Sequence, residues 1–135
     1  MTETELTQAV DAAGRARSHA YAPYSRFKVG AAIVSQASGR IYAGCNVENA
    51  SYGATICAER NAVLQAVAAE GKVPFSFLVV LAEAENPVPP CGQCLQVLAE
   101  FCAPDMPVYL CGTEGVRSRY LFSELLPHPP VLPLR

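Results

Sequence analysis

Two short runs of the sequence, Cys57-Ala58-Glu59-Arg60 and Pro90-Cys91-Gly92-Gln93-Cys94, decide how the rest of the chain is interpreted. Their three cysteines supply three thiolates, which can hold a tetrahedral zinc ion and leave the fourth position open for a water molecule. Glu59 comes two residues after Cys57, so its carboxylate can lie near the metal without binding it and can carry protons to and from that water. The two runs therefore predict a catalytic zinc site.

Other thiol sites use part of the same pattern. A Cys-x-x-Cys pair such as Cys91 and Cys94 also occurs in structural zinc sites and in redox-active dithiols. A structural zinc site usually has four Cys or His ligands, whereas this sequence has no second Cys-x-x-Cys pair and no His-x3-His pair. A redox dithiol leaves the preceding Cys57-Ala58-Glu59 run unexplained. A catalytic site with Cys57 as its third ligand is therefore the better interpretation.

The composition limits the class of protein. A length of 135 residues predicts one domain, residues 1–135, with a sizeable core. Hydrophobic residues make up 51% and charged residues 16%, which favours a buried subunit interface. The net charge of -2, without a basic block, disfavours a nucleic-acid partner and favours a small neutral substrate. The polar, acidic N-terminus and the short apolar runs predict no membrane partner and a cytoplasmic location, where the six cysteines are metal ligands and buried thiols.

Hydrophobic periodicity and turn signals predict alternating helices and strands in the order α-β-β-α-β-α-β-β. The predicted elements lie at residues 2–20, 27–34, 40–47, 56–70, 75–82, 92–101, 108–111 and 119–122. A hairpin turn at Ala37-Ser38-Gly39 makes the first two strands antiparallel, and the helices before the third and fourth strands predict parallel ones. This order indicates an α/β fold, a three-layer α/β/α domain with a mixed five-stranded sheet.

The cysteines of both runs fall in the predicted first turns of the helices 56–70 and 92–101. Unpaired backbone N–H groups and the positive end of the helix dipole stabilise a thiolate at such a position. We therefore expect two helix N-termini to converge on one metal ion. The remaining cysteines lie in or beside apolar elements and are interpreted as packing residues; they are Cys45, Cys102 and Cys111.

Four motifs of this chain recur in the same order in the small cytidine deaminases, and they are Phe27-Lys28-Val29-Gly30-Ala31-Ala32, Asn46-Val47-Glu48-Asn49-Ala50-Ser51-Tyr52, Cys57-Ala58-Glu59-Arg60 and Pro90-Cys91-Gly92-Gln93-Cys94. The chain resembles that family over about residues 21–126. The resemblance implies a cytidine deaminase-like fold and one zinc ion per subunit. It also implies hydrolysis of cytidine and 2′-deoxycytidine to the uridines with release of ammonia, as in pyrimidine salvage, by a homotetramer.

The resemblance further implies a role for each site residue. The implied metal-site residues are the zinc ligands Cys57, Cys91 and Cys94, the proton shuttle Glu59, and Arg60, which bonds to the cysteine sulfurs. The implied substrate contacts are Phe27 near the base, Asn46 and Glu48 at the ribose 3′-hydroxyl, the backbone around Ala58 at the amide edge of the pyrimidine, and Tyr52 near a neighbouring subunit's site.

Two positions depart from the family's pattern. Leu95 stands directly after Cys94, where the family often has an arginine, so the tuning of the zinc by a positive charge rests on Arg60 alone. The tail at His128-Pro129-Pro130 lacks the aromatic residue that related chains contribute to the base pocket of a neighbour.

Three other functions share parts of the pattern. Related deaminases act on other cytosine compounds such as blasticidin-type antibiotics, although Asn46 and Glu48 favour an unmodified ribose. A polynucleotide-editing deaminase is disfavoured by the negative net charge and by the absence of a basic, aromatic-lined channel. In a zinc-stabilised interaction module without enzymatic activity, Glu59 is an ordinary carboxylate at a helix start.

Overall fold

A computed structural model describes residues 1–130 and 132–133, which form a five-stranded sheet with helices on both faces. The elements in chain order are α1 Glu3–Ser18, β1 Val29–Ser35, β2 Ile41–Cys45, a 3-10 turn Tyr52–Ala54, α2 Ala58–Glu70, β3 Phe75–Ala82, α3 Gly92–Ala99, β4 Pro107–Gly112, β5 Gly115–Leu121 and α4 Phe122–Leu125. No helix in these ranges is long and apolar enough to cross a membrane. Residues 131, 134 and 135 of the predicted domain lie outside the described residues.

The sheet has the strand order β2-β1-β3-β4-β5. Strand β1 pairs antiparallel with β2 and with β3, β3 pairs parallel with β4, and β4 pairs antiparallel with β5. The predicted mixed sheet is therefore confirmed. As expected from its helical connection, β3 runs in the same direction as β2, but β1 lies between the two strands.

The last strand differs from the prediction. It was expected at residues 119–122 and instead spans Gly115–Leu121, while Phe122 begins α4 with its side chain buried. A tight turn explains the earlier start, because Gly115 has φ 129°, a backbone conformation that favours glycine. Strand β5 is mostly exposed, so its first residues carry no hydrophobic signal. Helix α3 also ends two residues earlier than the predicted position 101.

The two faces of the sheet bury separate sets of side chains. Along β3, Phe77, Val79 and Leu81 pack in the cluster beneath α1, whereas Leu78 and Val80 pack in the cluster that includes residues of α2 and α3. The alternation follows from the two-residue repeat of a strand. It confirms that the continuous apolar run of β3 is buried on both faces, and it gives the predicted three layers.

Two glycines bring helices against the sheet. A Cβ atom at Gly30 of β1 would lie 1.9 Å from the carbonyl oxygen of Ala13 in α1. A Cβ atom at Gly44 of β2 would lie 2.6 Å from the backbone nitrogen of Ala62 and 2.9 Å from the carbonyl oxygen of Ala58 in α2. Only a residue without a side chain allows these approaches. The second approach sets the position of the first turn of α2.

Candidate metal centre and active site

The three predicted ligands lie together where α2 and α3 begin. Cys57 is the N-cap residue of α2 and Cys91 is the N-cap residue of α3, so both precede the first turn in which they were expected. Cys94 is the third residue of α3. Neither N-cap side chain makes the usual hydrogen bond to the helix backbone. Their sulfur atoms are therefore free to turn toward one another.

The spacing of the sulfur atoms fits a zinc ion. The Sγ atom of Cys91 lies 3.8 Å from that of Cys57 and 3.5 Å from that of Cys94, and all three atoms lie within 4.8 Å of one another. Tetrahedral Zn–S bonds of about 2.3 Å separate two sulfurs by about 3.8 Å. The three thiols match this requirement and belong to the thiolate ligand class that zinc favours.

The protonation of the cluster also fits a cation. A hydrogen bond with Cys94 and the nearby Arg60 guanidinium lower the pKa of Cys57 to about 5, although burial opposes this shift. The same hydrogen bond with Cys57 raises the pKa of Cys94 well above its usual value. One thiolate therefore disfavours a second one beside it, and a positive ion among the sulfurs would stabilise both in the ionised form.

Arg60 occupies the predicted position beside the sulfurs. Its Nη2 atom donates to the Sγ atom of Cys57 at 3.5 Å and to the carbonyl oxygen of Thr55 at 3.1 Å. Leu95 is 8% exposed and belongs to the core cluster on the α2 and α3 side of the sheet. The leucine thus contributes packing at a position where an arginine would add positive charge.

Glu59 is a buried carboxyl group in the first turn of α2. Its side chain is 6% exposed, and burial raises its pKa to about 7. A carboxyl group with this pKa accepts and releases a proton at neutral pH with little cost in either direction. Its placement therefore suits proton transfer beside the cysteine cluster.

A cavity of about 250 Å³ opens beside the cysteines. It is lined by Ser25, Phe27, Val29, Asn46, Glu48, Thr55, Cys57, Ala58, Glu59, Val80, Val88, Pro89 and Cys91. Drug-sized ligands usually occupy cavities of about 300–1,000 Å³, so this one suits a small occupant. The structure thus brings the predicted substrate contacts Phe27, Asn46, Glu48 and Ala58 together with Glu59 and two of the cysteines.

Tyr52 is the predicted contact that the cavity does not include. Its side chain is 78% exposed, and its ring packs edge-on against the ring of Tyr24 with 6.3 Å between the centroids. It lines a neighbouring cleft of about 370 Å³ together with Glu48 and Thr55. Tyr52 therefore lies beside the cavity, in a cleft that shares Glu48 and Thr55 with it.

Asn46 makes more backbone contacts than the sequence indicated. Its Oδ1 atom accepts from the N–H of Val29 at 2.8 Å, and its Nδ2 atom donates to the carbonyl oxygen of Phe27 at 2.8 Å. These bonds fix the backbone on both sides of Lys28, directly before and at the first residue of β1. One amide hydrogen and one lone pair remain for a ligand.

Ser25 is a site residue that the sequence analysis missed. Its hydroxyl donates to the carboxylate of Glu48, which also accepts from the N–H groups of Tyr24 and Ser25 at 3.0 Å each. These bonds, with the Ser25 hydroxyl contributing most, hold the pKa of Glu48 below its usual range. The same hydroxyl accepts from the N–H of Phe27 at 3.0 Å. A serine two residues before Phe27 in a turn is a signal for such local bonding.

The other missed lining residues are apolar or belong to loops. Val80 lies in the buried strand β3, where a cavity-lining valine cannot be told from a core valine by sequence pattern. Val88 and Pro89 belong to the proline-rich connection between β3 and α3, which lies between the predicted elements at residues 75–82 and 92–101.

Comparison with known proteins adds independent findings. Residues 3–110 match the family model described as the cytidine and deoxycytidylate deaminase zinc-binding region. A cytidine deaminase from Sporosarcina psychrophila is 50% identical over 113 residues, which cover 84% of this chain and 82% of that protein. The crystal structure of a cytidine deaminase from Burkholderia pseudomallei has a TM-score of 0.84 and 45% identity, covering 96% of this chain and 99% of that one. The crystal structure of a cytidine deaminase from Mycobacterium tuberculosis has a TM-score of 0.80 and 33% identity, covering 98% of this chain and 100% of that one.

Removal of one thiol tests the metal centre. We expect Cys91→Ala to lose most of its zinc, because two thiolates hold the ion far more weakly than three. Cys102→Ala is the control, since its sulfur lies outside the cluster. Zinc per chain, measured by elemental analysis of purified protein, should fall well below that of Cys102→Ala. Equal zinc in both variants would contradict the ligand set.

Proposed function

The chain belongs to the cytidine and deoxycytidylate deaminase zinc-binding family, and from this membership we propose that it hydrolyses free cytidine and 2′-deoxycytidine to the uridines and ammonia. The observation that carries the proposal is the cavity, in which two zinc-ligand thiols and a buried carboxylate face a space suited to a small molecule. A step in pyrimidine salvage and a cytoplasmic location, where thiols remain reduced, agree with this activity.

The reaction needs a nucleophile and a path for protons. When bound, zinc lowers the pKa of a water molecule to about 7, which makes a nucleophile available at neutral pH. With zinc held by the three cysteines, Glu59 would accept one proton of the attacking water and donate it to N3 of the cytosine while C4 gains an oxygen. Glu59 would then move the hydroxyl proton at C4 to the amino group, and the C4–N bond would break to release ammonia.

The cavity residues orient the nucleoside for this chemistry. Glu48 is ionised and keeps a free lone pair for a ribose hydroxyl, and Asn46 adds its remaining amide hydrogen. Phe27 contributes an aromatic face for the base. The first N–H groups of α2, beginning at Ala58, have no acceptor within the helix and are available to the amide edge of the pyrimidine.

The charge of the cavity favours a nucleoside over a nucleotide. Its described lining contains the carboxylates Glu48 and Glu59 and no lysine, arginine or histidine. A 5′-phosphate needs positive partners and is repelled by nearby carboxylates in a site with low dielectric. The same charge disfavours a polynucleotide, whose backbone binds through lysine and arginine.

A substrate panel tests the activity directly. The fall in ultraviolet absorbance on deamination should be seen with cytidine and deoxycytidine, while deoxycytidylate should react at least about 100-fold more slowly, because it adds two charges without a partner. Blasticidin S and a cytosine-containing oligonucleotide complete the panel. A preference for either of these, or for deoxycytidylate, would identify a different substrate class. If none of the five compounds were deaminated, the result would favour a zinc-stabilised interaction module without enzymatic activity.

Glu59→Gln separates proton transfer from metal binding. The amide has nearly the same shape as the carboxyl group, so zinc should stay bound while turnover of cytidine falls by about 10²–10⁴-fold. Steady-state kinetics combined with zinc analysis measures both quantities. A rate near that of the unchanged protein would show that another group transfers the protons.

We propose that a homotetramer, the assembly implied by the resemblance to the small cytidine deaminases, covers the exposed aromatic surface. The exposed Tyr24 and Tyr52 line the cleft next to the cavity, and the exposed Tyr21 and Val47 pair with each other in an isolated β-bridge. Closed symmetric assemblies cover such surfaces, with the D₂ tetramer next in frequency after the dimer. In this arrangement Tyr52 contacts the nucleoside site of a neighbouring subunit.

Tyr52→Ala tests both the assembly and the shared site. The variant should show a lower mass by light scattering and at least about a tenfold loss of activity with unchanged zinc, because the lost ring belongs to an interface. Lys72→Ala, a substitution in the exposed turn after α2, is the control. Full activity in a monomeric wild-type protein would refute the tetramer and the shared site together.

A further inference from the structure

The connection between β3 and α3, residues 83–90, carries one wall of the cavity. Val88 and Pro89 line the cavity, and the connection leads directly into Cys91. In the described part of the chain, none of these eight residues makes a backbone-to-backbone hydrogen bond. The position of this wall and of one zinc ligand therefore depends on contacts from elsewhere in the fold.

Arg117 of β5 supplies the hydrogen bonds that hold this connection. Its Nη1 atom donates to the carbonyl oxygen of Ala84 at 2.7 Å, and its Nη2 atom donates to the carbonyl oxygen of Glu85 at 2.6 Å. The only other polar contact found for the connection within the described residues is an ion pair at 3.7 Å between Arg17 and the largely exposed Glu83. A planar guanidinium that binds two consecutive carbonyls fixes both their position and their orientation.

The geometry of β5 directs this side chain. Leu110 pairs with Ser118 and Cys111 pairs with Val116, so Arg117 is the extra residue of a β-bulge. Bulges redirect a side chain away from the alternation of the strand. Gly112 leaves room for the redirected chain, because a Cβ atom there would lie 3.0 Å from Cδ of Arg117. The bulge and Gly112 thus both allow Arg117 to reach the carbonyl oxygens of Ala84 and Glu85.

The connection can transmit this constraint because it is stiff. Three of the residues after Glu85 are prolines, at positions 87, 89 and 90. Proline fixes its own φ angle and restricts the residue before it. With Ala84 and Glu85 held at one end, few conformations remain for the segment up to Cys91.

We propose that Arg117 is a positioning residue for the active site, which holds the cavity wall and the ligand Cys91 in place through the carbonyls of Ala84 and Glu85. The inference rests on the proposed function for its substrate readout, whereas its zinc readout depends only on the metal centre. If Arg117 only stabilised the β4–β5 hairpin, its substitution would lower the stability of the protein but would change neither the rate of zinc release nor KM for cytidine.

The test compares Arg117→Ala with Arg119→Ala in the holoenzyme. Arg119 is the matched control, because it lies on the same strand with its guanidinium 5.8 Å from the ring centroid of Tyr109 and makes no bond to the connection. Loss of residues that support a metal ligand costs about 10–100-fold in metal affinity, and Arg117 acts through the backbone, so we expect the lower end. Arg117→Ala should release zinc to a chelator about 10-fold faster and raise KM for cytidine by a similar factor, with kcat within about twofold.

A second pair of variants keeps the test decisive if Arg117→Ala folds poorly. Arg117→Lys keeps the charge but cannot bind two carbonyls at once, so it should show intermediate values. Gly112→Ala should press on Cδ of Arg117 and accelerate zinc release less than Arg117→Ala does. Adding it to Arg117→Lys should cause less than the product of the separate effects. Equal zinc release and KM in the Arg117 variants and Arg119→Ala would overturn the proposal. Absence of zinc or turnover in the wild-type protein would instead contradict the proposed function.

Discussion

The active site depends on two helices, α2 and α3, each of which has a cysteine as its N-cap residue. Because an N-cap residue has extended backbone angles, its side chain can point away from its own helix, and here both cysteine sulfurs point into one cluster. The close approach at Gly44 sets the first of these helices against the sheet. The second is set by the stiff connection that leaves β3. A shift of either helix start would separate the thiols and the carboxylate of Glu59 from the cavity.

Two carboxylates in this site have opposite environments. Burial raises the pKa of Glu59, so it exchanges a proton near neutral pH. Hydrogen bonds from the turn at Tyr24 and Ser25 lower the pKa of Glu48, so it stays ionised and accepts hydrogen bonds. Such a pair, with pKa values driven apart by the surroundings, separates the group that moves protons from the group that holds substrate.

Hydrogen bonds from polar side chains hold both walls of the cavity. On one side, Ser25 accepts from the N–H of Phe27, and Asn46 binds the carbonyl of the same residue. On the other side, Arg117 binds the connection that carries Val88. The reacting groups lie at the starts of α2 and α3, while these bonds fix the loops that shape the space around them. A site of this kind is preorganised by residues that never touch the reacting atoms.

The sequence by itself determined the features that depend on local pattern. These are the layered α/β fold, the positions of the helices, the three cysteines and Glu59, because hydrophobic periodicity and ligand spacing are properties of short segments. The start of β5 was wrong, since an exposed strand has no hydrophobic signal. The placement of β1 between β2 and β3 also needed the tertiary structure, because sequence order does not give spatial order.

Only the tertiary structure decided which polar groups meet. The bond between Ser25 and Glu48 spans 23 residues, and the bond from Arg117 to Ala84 spans 33 residues. A serine in a turn or an arginine on an exposed strand has the same appearance in sequence whether it binds water or a distant backbone. Folding brings these partners together, and the bulge at Arg117 and the space left by Gly112 become visible only there.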